Sequence, residues 1–352
     1  MTTKGETNSM TYRRVVVSRH GGPDVLQVVE EALPEPQAGE VRVKVLTAGI
    51  SSYDAMNRQY AFPGGPSMPY TPGEDVVGVV DKLGEGVSTV EPGQRVACFT
   101  RGGGYAECIC RPASTLVPVP AGVDAAEAVC LVVNYLTAHL AMHGTAKVQS
   151  GERILVHGAA GGVGSALLQL GRLAGLEMYG TVSQYNHERV TALGATPIDY
   201  RTEDFVERIR SLTGDGVDVV FDPIGGARQL WRSYRAVRKD GRLVWFGMAA
   251  ANKKGMVVIP LTMLMLGLLK LMPGGKKAPL MPELGDHMTA RSDWYPDTLA
   301  ELLDLLAEGK LKPLVAERIP LVEAVRAHEL LERGGYAGKV VLVADVQAGG
   351  LS

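Results

Sequence analysis

An excess of charge of either sign is missing from this 352-residue chain: 36 Lys and Arg stand against 38 Asp and Glu, a net charge of -2. Without a basic surplus there is no electrostatic footprint for nucleic acid. Cysteine is scarce, and Cys98, Cys108, Cys110 and Cys130 form neither a CxxC pair nor a disulfide scaffold. That excludes a small stapled secreted domain and makes a reducing compartment, the cytoplasm, the expected home. Cys108 and Cys110 share a strand face with no third ligand near and are expected to be packed thiols. The first ten residues lack the apolar core of a signal peptide and contain a second methionine, Met10; a disordered tail over 1–10 is expected. What remains, 46% hydrophobic and 21% charged, is enough for two domains with proper cores.

The chain is organised around Arg153 to Gly175. Ile154, Leu155 and Val156 suit a buried strand, and Ala166, Leu167, Leu170 and Leu173 recur at helical spacing. Between them runs Gly158-Ala159-Ala160-Gly161-Gly162-Val163-Gly164. Strand, glycine turn and helix without spare residues form the context of a dinucleotide fingerprint, in which the helix N-terminus offers free N–H groups to a pyrophosphate. Laid on G-x-G-x-x-G the positions fall on Ala159, Gly161 and Gly164, so the first glycine is an alanine. A glycine turn also occurs where a helix merely packs closely on a strand, and the surroundings decide between the two. Further strands are expected at 177–182, 197–200, 217–221 and 243–246, with helices at 186–193, 203–212 and 227–237. Such alternation implies crossover units and a doubly wound, mostly parallel sheet of Rossmann type.

Where an NAD site places a carboxylate on the ribose, at the end of the second strand, this chain has Ser183 and Gln184, followed by His187, Arg189 and, after the third strand, Tyr200 and Arg201. Hydroxyls and positive charge favour a 2′-phosphate, so NADPH is the expected cofactor, with Ala160, Gly161, Gly162, Val163, Ser183, Arg189 and Tyr200 as its site. Arginines that are merely solvated are the alternative.

From Tyr12 to about Pro120 short strands alternate with turns such as Gly21-Gly22-Pro23 and Pro92-Gly93, suggesting an irregular, partly closed antiparallel barrel. With Pro72-Gly73-Glu74-Asp75-Val76-Val77-Gly78, Val90 to Val96, Gly104-Tyr105-Ala106-Glu107, the glycine turn and Gly338-Lys339-Val340-Val341-Leu342, the chain resembles the medium-chain dehydrogenase/reductase superfamily in its zinc-free quinone oxidoreductase branch. Val133-Asn134-Tyr135, Pro197-Ile198-Asp199-Tyr200, Asp222-Pro223-Ile224-Gly225-Gly226 and Phe246-Gly247-Met248-Ala249 look closest to its vesicle amine transport protein-like subgroup.

The resemblance implies a Rossmann domain over 128–310 inserted in a GroES-like catalytic domain, 11–127 plus 311–352. It adds Asp222, Gly225, Phe246, Gly247 and Met248 to the cofactor loops and puts the substrate along Ile50 to Tyr60 and Asn134. The positions that hold zinc in the alcohol dehydrogenase branch correspond to Ser51, Glu74 and about Val133. Two of these cannot replace soft or imidazole ligands, so no metal is expected. Without a metal to polarise a carbonyl, hydride delivery to an electron-poor acceptor remains: a quinone or an activated alkene, a small apolar electrophile. Tyr53, Tyr60, Ser51 and Asn134 are the candidate catalytic residues, the tyrosines as proton donors or as walls of an aromatic pocket. Asp54 and Arg58, at helical spacing, are read as fixing the loop.

The segment 255–281 joins Leu261-Thr262-Met263-Leu264-Met265-Leu266-Gly267-Leu268-Leu269 to Lys270, Lys276 and Lys277. It is too short to span a bilayer. A membrane-surface role stays open on the residues; the favoured expectation, from the resemblance, is a homodimer contact and pocket rim. Two other readings stand beside the reductase: a biosynthetic enoyl reductase on a polyketide-like intermediate, and a low-turnover NADPH-binding protein that docks on a membrane or partner.

Overall fold

The computed structural model describes residues 10–61 and 64–344, without the side chains of 252–254. The tail expected over 1–10 therefore lies, Met10 apart, outside the described residues. Two compact units emerge. One takes the chain up to Val129, Glu317–Arg333 and the residues from Val340; the other takes Cys130–Ala316 and Gly334–Lys339. The second seam falls later than residue 311 for a local reason. Gln169 grips the Lys312 backbone on both sides, donating to its carbonyl at 2.9 Å and accepting from its N–H at 2.7 Å, so residues 311–316 stay with the second unit.

In the first unit, β1 (Thr11–Val17) and β2 (Leu26–Ala32) form an antiparallel ribbon. A larger antiparallel sheet takes the order β13-β14-β3-β4-β5-β7, with β6 also on β3. These strands are β3 (Glu40–Gly49), β4 (Asp75–Leu83), β5 (Arg95–Phe99), β6 (Cys108–Pro112), β7 (Leu116–Pro118), β13 (Val315–Pro320) and β14 (Lys339–Val343). β3 serves three partners because β6 takes Glu40–Lys44 and β14 takes Thr47–Gly49 while β4 pairs along Val41–Ala48, with register shifts between Arg42 and Val43 and again between Val45 and Thr47. Such irregularities bend a strand and begin to close a sheet. Val41, Val43, Val45, Val77, Val80 and Ala97 fill the interior. Helix α1 (Ser52–Gln59) follows β3 directly.

The second unit holds the parallel sheet, in the order β10-β9-β8-β11-β12. Its strands are β8 (Arg153–His157), β9 (Glu177–Val182), β10 (Thr196–Asp199), β11 (Val217–Asp222) and β12 (Val237–Trp245). Ile154, Leu155, Val156, Val219, Val220 and Phe221 are all fully buried, which is why these strands read as continuous apolar runs. The order reverses at β8, and the crevice at its carboxyl end is the switch point where such sheets bind ligands. β12 begins earlier than the expected Leu243. Lys239-Asp240-Gly241 is an irregularity inside the strand, with Asp240 at φ +62°. α2 (Ala125–Cys130) and α3 (Leu136–His139), with wide π turns over Leu131–Tyr135 and Leu140–Ala146, are buried and carry no amphipathic period. The remaining helices are α4 (Gly162–Leu173), α5 (His187–Ala192), α6 (Phe205–Thr213), α7 (Ala227–Ala236), α8 (Ala249–Lys254), α9 (Val258–Leu271), α10 (Leu284–Ala290), α11 (Trp294–Ala307) and, in the first unit, α12 (Ala324–Arg333).

Candidate functional site

The glycine turn divides its labour in a way the linear motif hides. Gly158, at φ +65°, makes the sharp bend out of β8, and its carbonyl accepts the Gly161 N–H at 2.9 Å. Ala159 holds the place of the first motif glycine because Gly180 faces it from β9; a Cβ on Gly180 would lie 2.6 Å from the Ala159 methyl. A Cβ on Gly164 would stand 2.2 Å from the Gly158 carbonyl oxygen, so that glycine lets α4 pack on the turn. Gly161, the exposed N-cap of α4 at φ −73° and ψ 174°, would meet only the Gly158 oxygen, at 3.2 Å. Its outer side is open, and the first amides of α4 behind it lack intrahelical acceptors. Together with the dipole they form a cradle for a phosphate anion. The carbonyl of Ala160 is tied to the Gly338 N–H at 2.8 Å. Gly338 has φ +87°, and a Cβ there would lie 1.9 Å from the Leu314 oxygen. Val163 is half-buried on the first turn of α4.

Under this turn a buried polar chain joins three strand ends. The Ser233 hydroxyl donates to Asp222 Oδ2 at 2.7 Å, so it accepts from His157 Nε2 at 3.0 Å, which leaves His157 Nδ1 to accept from the Thr181 hydroxyl at 2.9 Å. Burial pushes the His157 pKa down, keeping the ring in that neutral tautomer. The other oxygen of Asp222 accepts the N–H groups of Ile224 at 2.8 Å and Gly225 at 3.1 Å, shaping the loop after β11. Asp222 thus organises the loop from beneath. Phe246 N–H reaches the Asp222 carbonyl at 3.1 Å. A Cβ on Gly247 would meet the Pro223 oxygen at 2.8 Å, and Met248 packs on the core beside it.

Beyond β9 there is no carboxylate among the first residues: Ser183 is half-buried and Gln184 exposed. Arg189 is held by Asn186 Oδ1 at 2.9 Å and lies over the exposed Tyr185 ring at 5.7 Å. Tyr200, also exposed, carries Arg201 over its ring at 5.8 Å. Tyr185 escaped the sequence reading; the signal was an aromatic residue four before an arginine at the end of a strand.

Asn134, expected at the substrate, lies in the second unit with its amide against Gly162, where a Cβ would approach Nδ2 to 2.3 Å. The other three catalytic candidates are in the first unit. Ser51 is the N-cap of α1: its hydroxyl accepts the Asp54 N–H at 3.1 Å, while Asp54 Oδ2 accepts the Ser51 N–H at 2.8 Å and hydroxyl at 2.9 Å. This capping box commits Ser51 to structure, with a longer contact to Glu74 at 3.4 Å. Tyr60 ends the same helix, half-buried. Tyr53 lines a cavity of about 360 Å³ with Asp54, Asn57, Tyr70, Glu74 and Arg101. Asn57 lies four residues after Tyr53 on α1, within the Ile50–Tyr60 stretch expected at the substrate, whereas Tyr70 and Arg101 were missed in sequence because they come from separate loops. Burial and then Asp54 push the Tyr70 phenol well up, so it stays protonated.

Asp54 and Arg58 fix the loop, each through other partners. Asp54 also accepts the Gly73 N–H at 2.9 Å and the Tyr105 hydroxyl at 3.3 Å. Arg58, fully buried, pairs with Glu332, donates to the Gly21 carbonyl, and donates from Nε to His328 Nδ1 at 3.3 Å. His328 Nε2 must then carry its proton toward the Tyr105 oxygen, 3.2 Å away. Burial, with Arg58 adding to it, pushes the His328 pKa to about 3. An unfolded histidine near about 6.5 binds the proton first. This contribution to stability is therefore complete above about pH 6.5 and is lost as pH falls toward about 3, at about 1.4 kcal/mol per pH unit. Unfolding midpoints measured from pH 7 to 5 should fall, and His328→Asn should flatten that fall; equal slopes would contradict it.

The matched sequence-family models are the alcohol dehydrogenase GroES-like domain over residues 37–121 and the zinc-binding dehydrogenase over 193–342. The chain is 31% identical to the synaptic vesicle membrane protein VAT-1 homolog of Danio rerio, across 97% of this chain and 72% of that protein. Among solved structures, Escherichia coli quinone oxidoreductase complexed with NADPH superposes with a TM-score of 0.84 at 31% identity, covering 95% of this chain and all (100%) of that one. CurK enoyl reductase superposes with a TM-score of 0.83 at 27% identity, covering 95% and 99%.

Proposed function

Because the chain belongs to the medium-chain dehydrogenase/reductase superfamily, in its quinone oxidoreductase branch, we propose that it reduces a quinone or activated enone with NADPH, by hydride transfer without zinc. The observation that carries this is the open outer side of Gly161 at the carboxyl end of β8, with hydroxyls and Arg189 where an NAD site would place a carboxylate. NADPH fits these residues: the amides of α4 and the backbone at Gly161 would hold the pyrophosphate, and Ser183, Arg189 and Tyr200 the 2′-phosphate. When bound, the cofactor supplies the hydride. The chain's part is to orient it, through the loops that Asp222 and Gly338 brace, and to provide a proton. Tyr53 on the cavity wall is the proposed donor to the developing enolate.

Zinc does not fit. Ser51 is occupied as a helix cap, Glu74 is an oxygen ligand where the alcohol dehydrogenase branch uses imidazole or thiolate, and no cluster of three His, Cys, Asp or Glu able to hold a metal occurs among the described residues. Turnover of a quinone or an aliphatic enone should survive exhaustive chelation; loss on chelation and recovery with zinc would refute this part. Tyr53→Phe should lower kcat about tenfold or more while leaving NADPH affinity unchanged. Arg189→Ala should reduce the preference for NADPH over NADH about tenfold in Kd ratio, the effect of one exposed charge pairing with a phosphate. An unaltered ratio would remove Arg189 from the site.

The likeness to CurK enoyl reductase favours a second reading, reduction of a bulky biosynthetic enone; a markedly higher kcat/KM on an acyl-thioester enone than on a simple quinone would select it. The chain is also proposed to act as a homodimer in the cytoplasm. Residues 277–280 run beside β12, with Arg242 opposite Lys277 and Trp245 opposite Leu280, and offer a sheet edge to a second copy. Light scattering of the purified chain tests this, a monomer mass being the contrary result.

A further inference from the structure

The cavity around Tyr53 lies wholly within the first unit, and its wall is unlike that of an ordinary small-molecule pocket. Such pockets are lined mainly by apolar and aromatic side chains, with a few polar groups that fix orientation. Among the described residues, no Leu, Ile, Val, Met or Phe lines this one. The wall holds the phenols of Tyr53 and Tyr70, the amide of Asn57 and the charged Glu74 and Arg101, with prolines and glycines between them.

Several of these groups are already engaged or balanced. Asp54 is met by the donors of Ser51, Gly73 and Tyr105, and the Thr71 hydroxyl accepts from Arg14 at 2.7 Å. Glu74 and Arg101 bring one charge of each sign, so a neutral ligand suits the space better than an anion or a cation. Two atoms stand apart. The Tyr70 hydroxyl and Asn57 Oδ1 are shut off from water and have no hydrogen-bond partner, a condition that a native fold seldom leaves without a reason. Burial, and then Asp54, keep the Tyr70 phenol protonated, so it needs an acceptor. Asn57 Oδ1 needs a donor. A carbonyl oxygen on a ligand can serve only the first, whereas a hydroxyl can serve either.

We propose that the acceptor is a neutral quinone or enone carrying a hydroxyl close to its reducible group, and that Asn57 and Tyr70 select it through that hydroxyl. It is not the small apolar electrophile expected from the sequence. The hydroxyl is a handle only, unchanged when a hydride and a proton add to the acceptor. An analogue that lacks it leaves the buried amide and phenol unpaired, which is how a polar site rejects a compound that an apolar site would accept. This inference rests on the reductase reading and adds to it the class of acceptor.

The test compares γ-hydroxycyclohexenone with cyclohexenone, kcat/KM being read from NADPH consumption by the wild-type chain, Tyr70→Phe and Asn57→Leu. The wild type should favour the hydroxylated enone about tenfold or more, and each variant should lower that ratio about fivefold. The hydroxyl's own effect on reactivity is common to the three proteins and cancels between them. Tyr70→Phe should keep its unfolding midpoint, because the hydroxyl it deletes bonds to nothing in the free protein. The same ratio in the wild type and both variants overturns the inference and leaves the reductase reading standing. If NADPH is consumed with neither enone nor with a quinone, the reductase reading falls, and calorimetric Kd values for the saturated pair, cyclohexanone and its γ-hydroxy derivative, decide this inference alone. Tighter binding of the hydroxylated ketone that Tyr70→Phe abolishes upholds the assignment of Tyr70; equal affinities in the wild type overturn it.

Discussion

Gly161→Val should weaken NADPH binding by about a hundredfold or more, equivalent to about 2.7 kcal/mol, while the protein stays folded. The two halves of that result have separate causes. The backbone at Gly161, φ −73° and ψ 174°, is extended and open to any residue, and a Cβ would meet only the Gly158 oxygen at 3.2 Å. The fold has to yield by a few tenths of an ångström. A valine side chain would instead occupy the open side of the turn, where a pyrophosphate must approach the amides of α4, and an anion held off by a branched side chain loses most of that interaction. Gly164→Ala is the contrasting variant. Its Cβ, 2.2 Å from the Gly158 oxygen and 2.9 Å from the Ala159 Cα, strikes backbone that cannot move aside, so it should lower the unfolding midpoint by several degrees or abolish expression. Unfolding curves read beside NADPH titrations separate the two. Equal NADPH affinity in Gly161→Val and wild type would mean that the cofactor does not use this turn.

In the first unit a large loss of stability is expected from Asp54→Ala. Asp54 receives the Ser51 N–H and hydroxyl, the Gly73 N–H and the Tyr105 hydroxyl, and is itself 2% exposed. Removing the carboxylate strands several buried donors at once and leaves the His328–Tyr105 chain without its terminal acceptor. Each orphaned group costs about 1–3 kcal/mol, so a loss of about 3 kcal/mol or more is predicted. Asp54→Asn should recover part of it, because the amide oxygen can still accept from Gly73 or Ser51, while its NH2 would face donors. Ser51→Ala removes only the cap and should cost about 1 kcal/mol. Denaturant midpoints for the three variants should rank in that order. A mild Asp54→Ala would show that the network is not what holds α1 to the first unit.

The sheet architecture was legible in sequence because each element is locally consistent. Lys339 to Val343 is strand in both, and the helices between the parallel strands carry the apolar spacing of surface helices. What escaped detection has physical reasons. The run from Ala125 to Ala146 is buried on nearly every side, so it has no amphipathic period to betray it. The fifth strand starts before Leu243 because its first residues, around Asp240 at φ +62°, break the extended pattern. The alanine in the glycine motif looked like a defect, and its compensation, Gly180, stands on another strand where no spacing rule points. The glycine turn after β8 was visible because its residues are consecutive. The far wall of the cavity around Tyr53 was not, since Tyr70 and Arg101 meet α1 only after the barrel has folded, and His328 reaches Tyr105 across 223 positions of chain. Ser51, a candidate donor from the resemblance, is also the helix cap of α1, a role that depends on the Asp54 backbone three residues on.

The most direct test is a fluorescence titration of the chelated protein with NADPH and with NADH, followed in the same cuvette by a quinone and then by an aliphatic enone. NADPH should bind at least about tenfold more tightly than NADH, the worth of a charge-assisted contact to its 2′-phosphate, and should be consumed when an acceptor is added. Equal affinities, or bound NADPH that neither acceptor oxidises, would contradict the account.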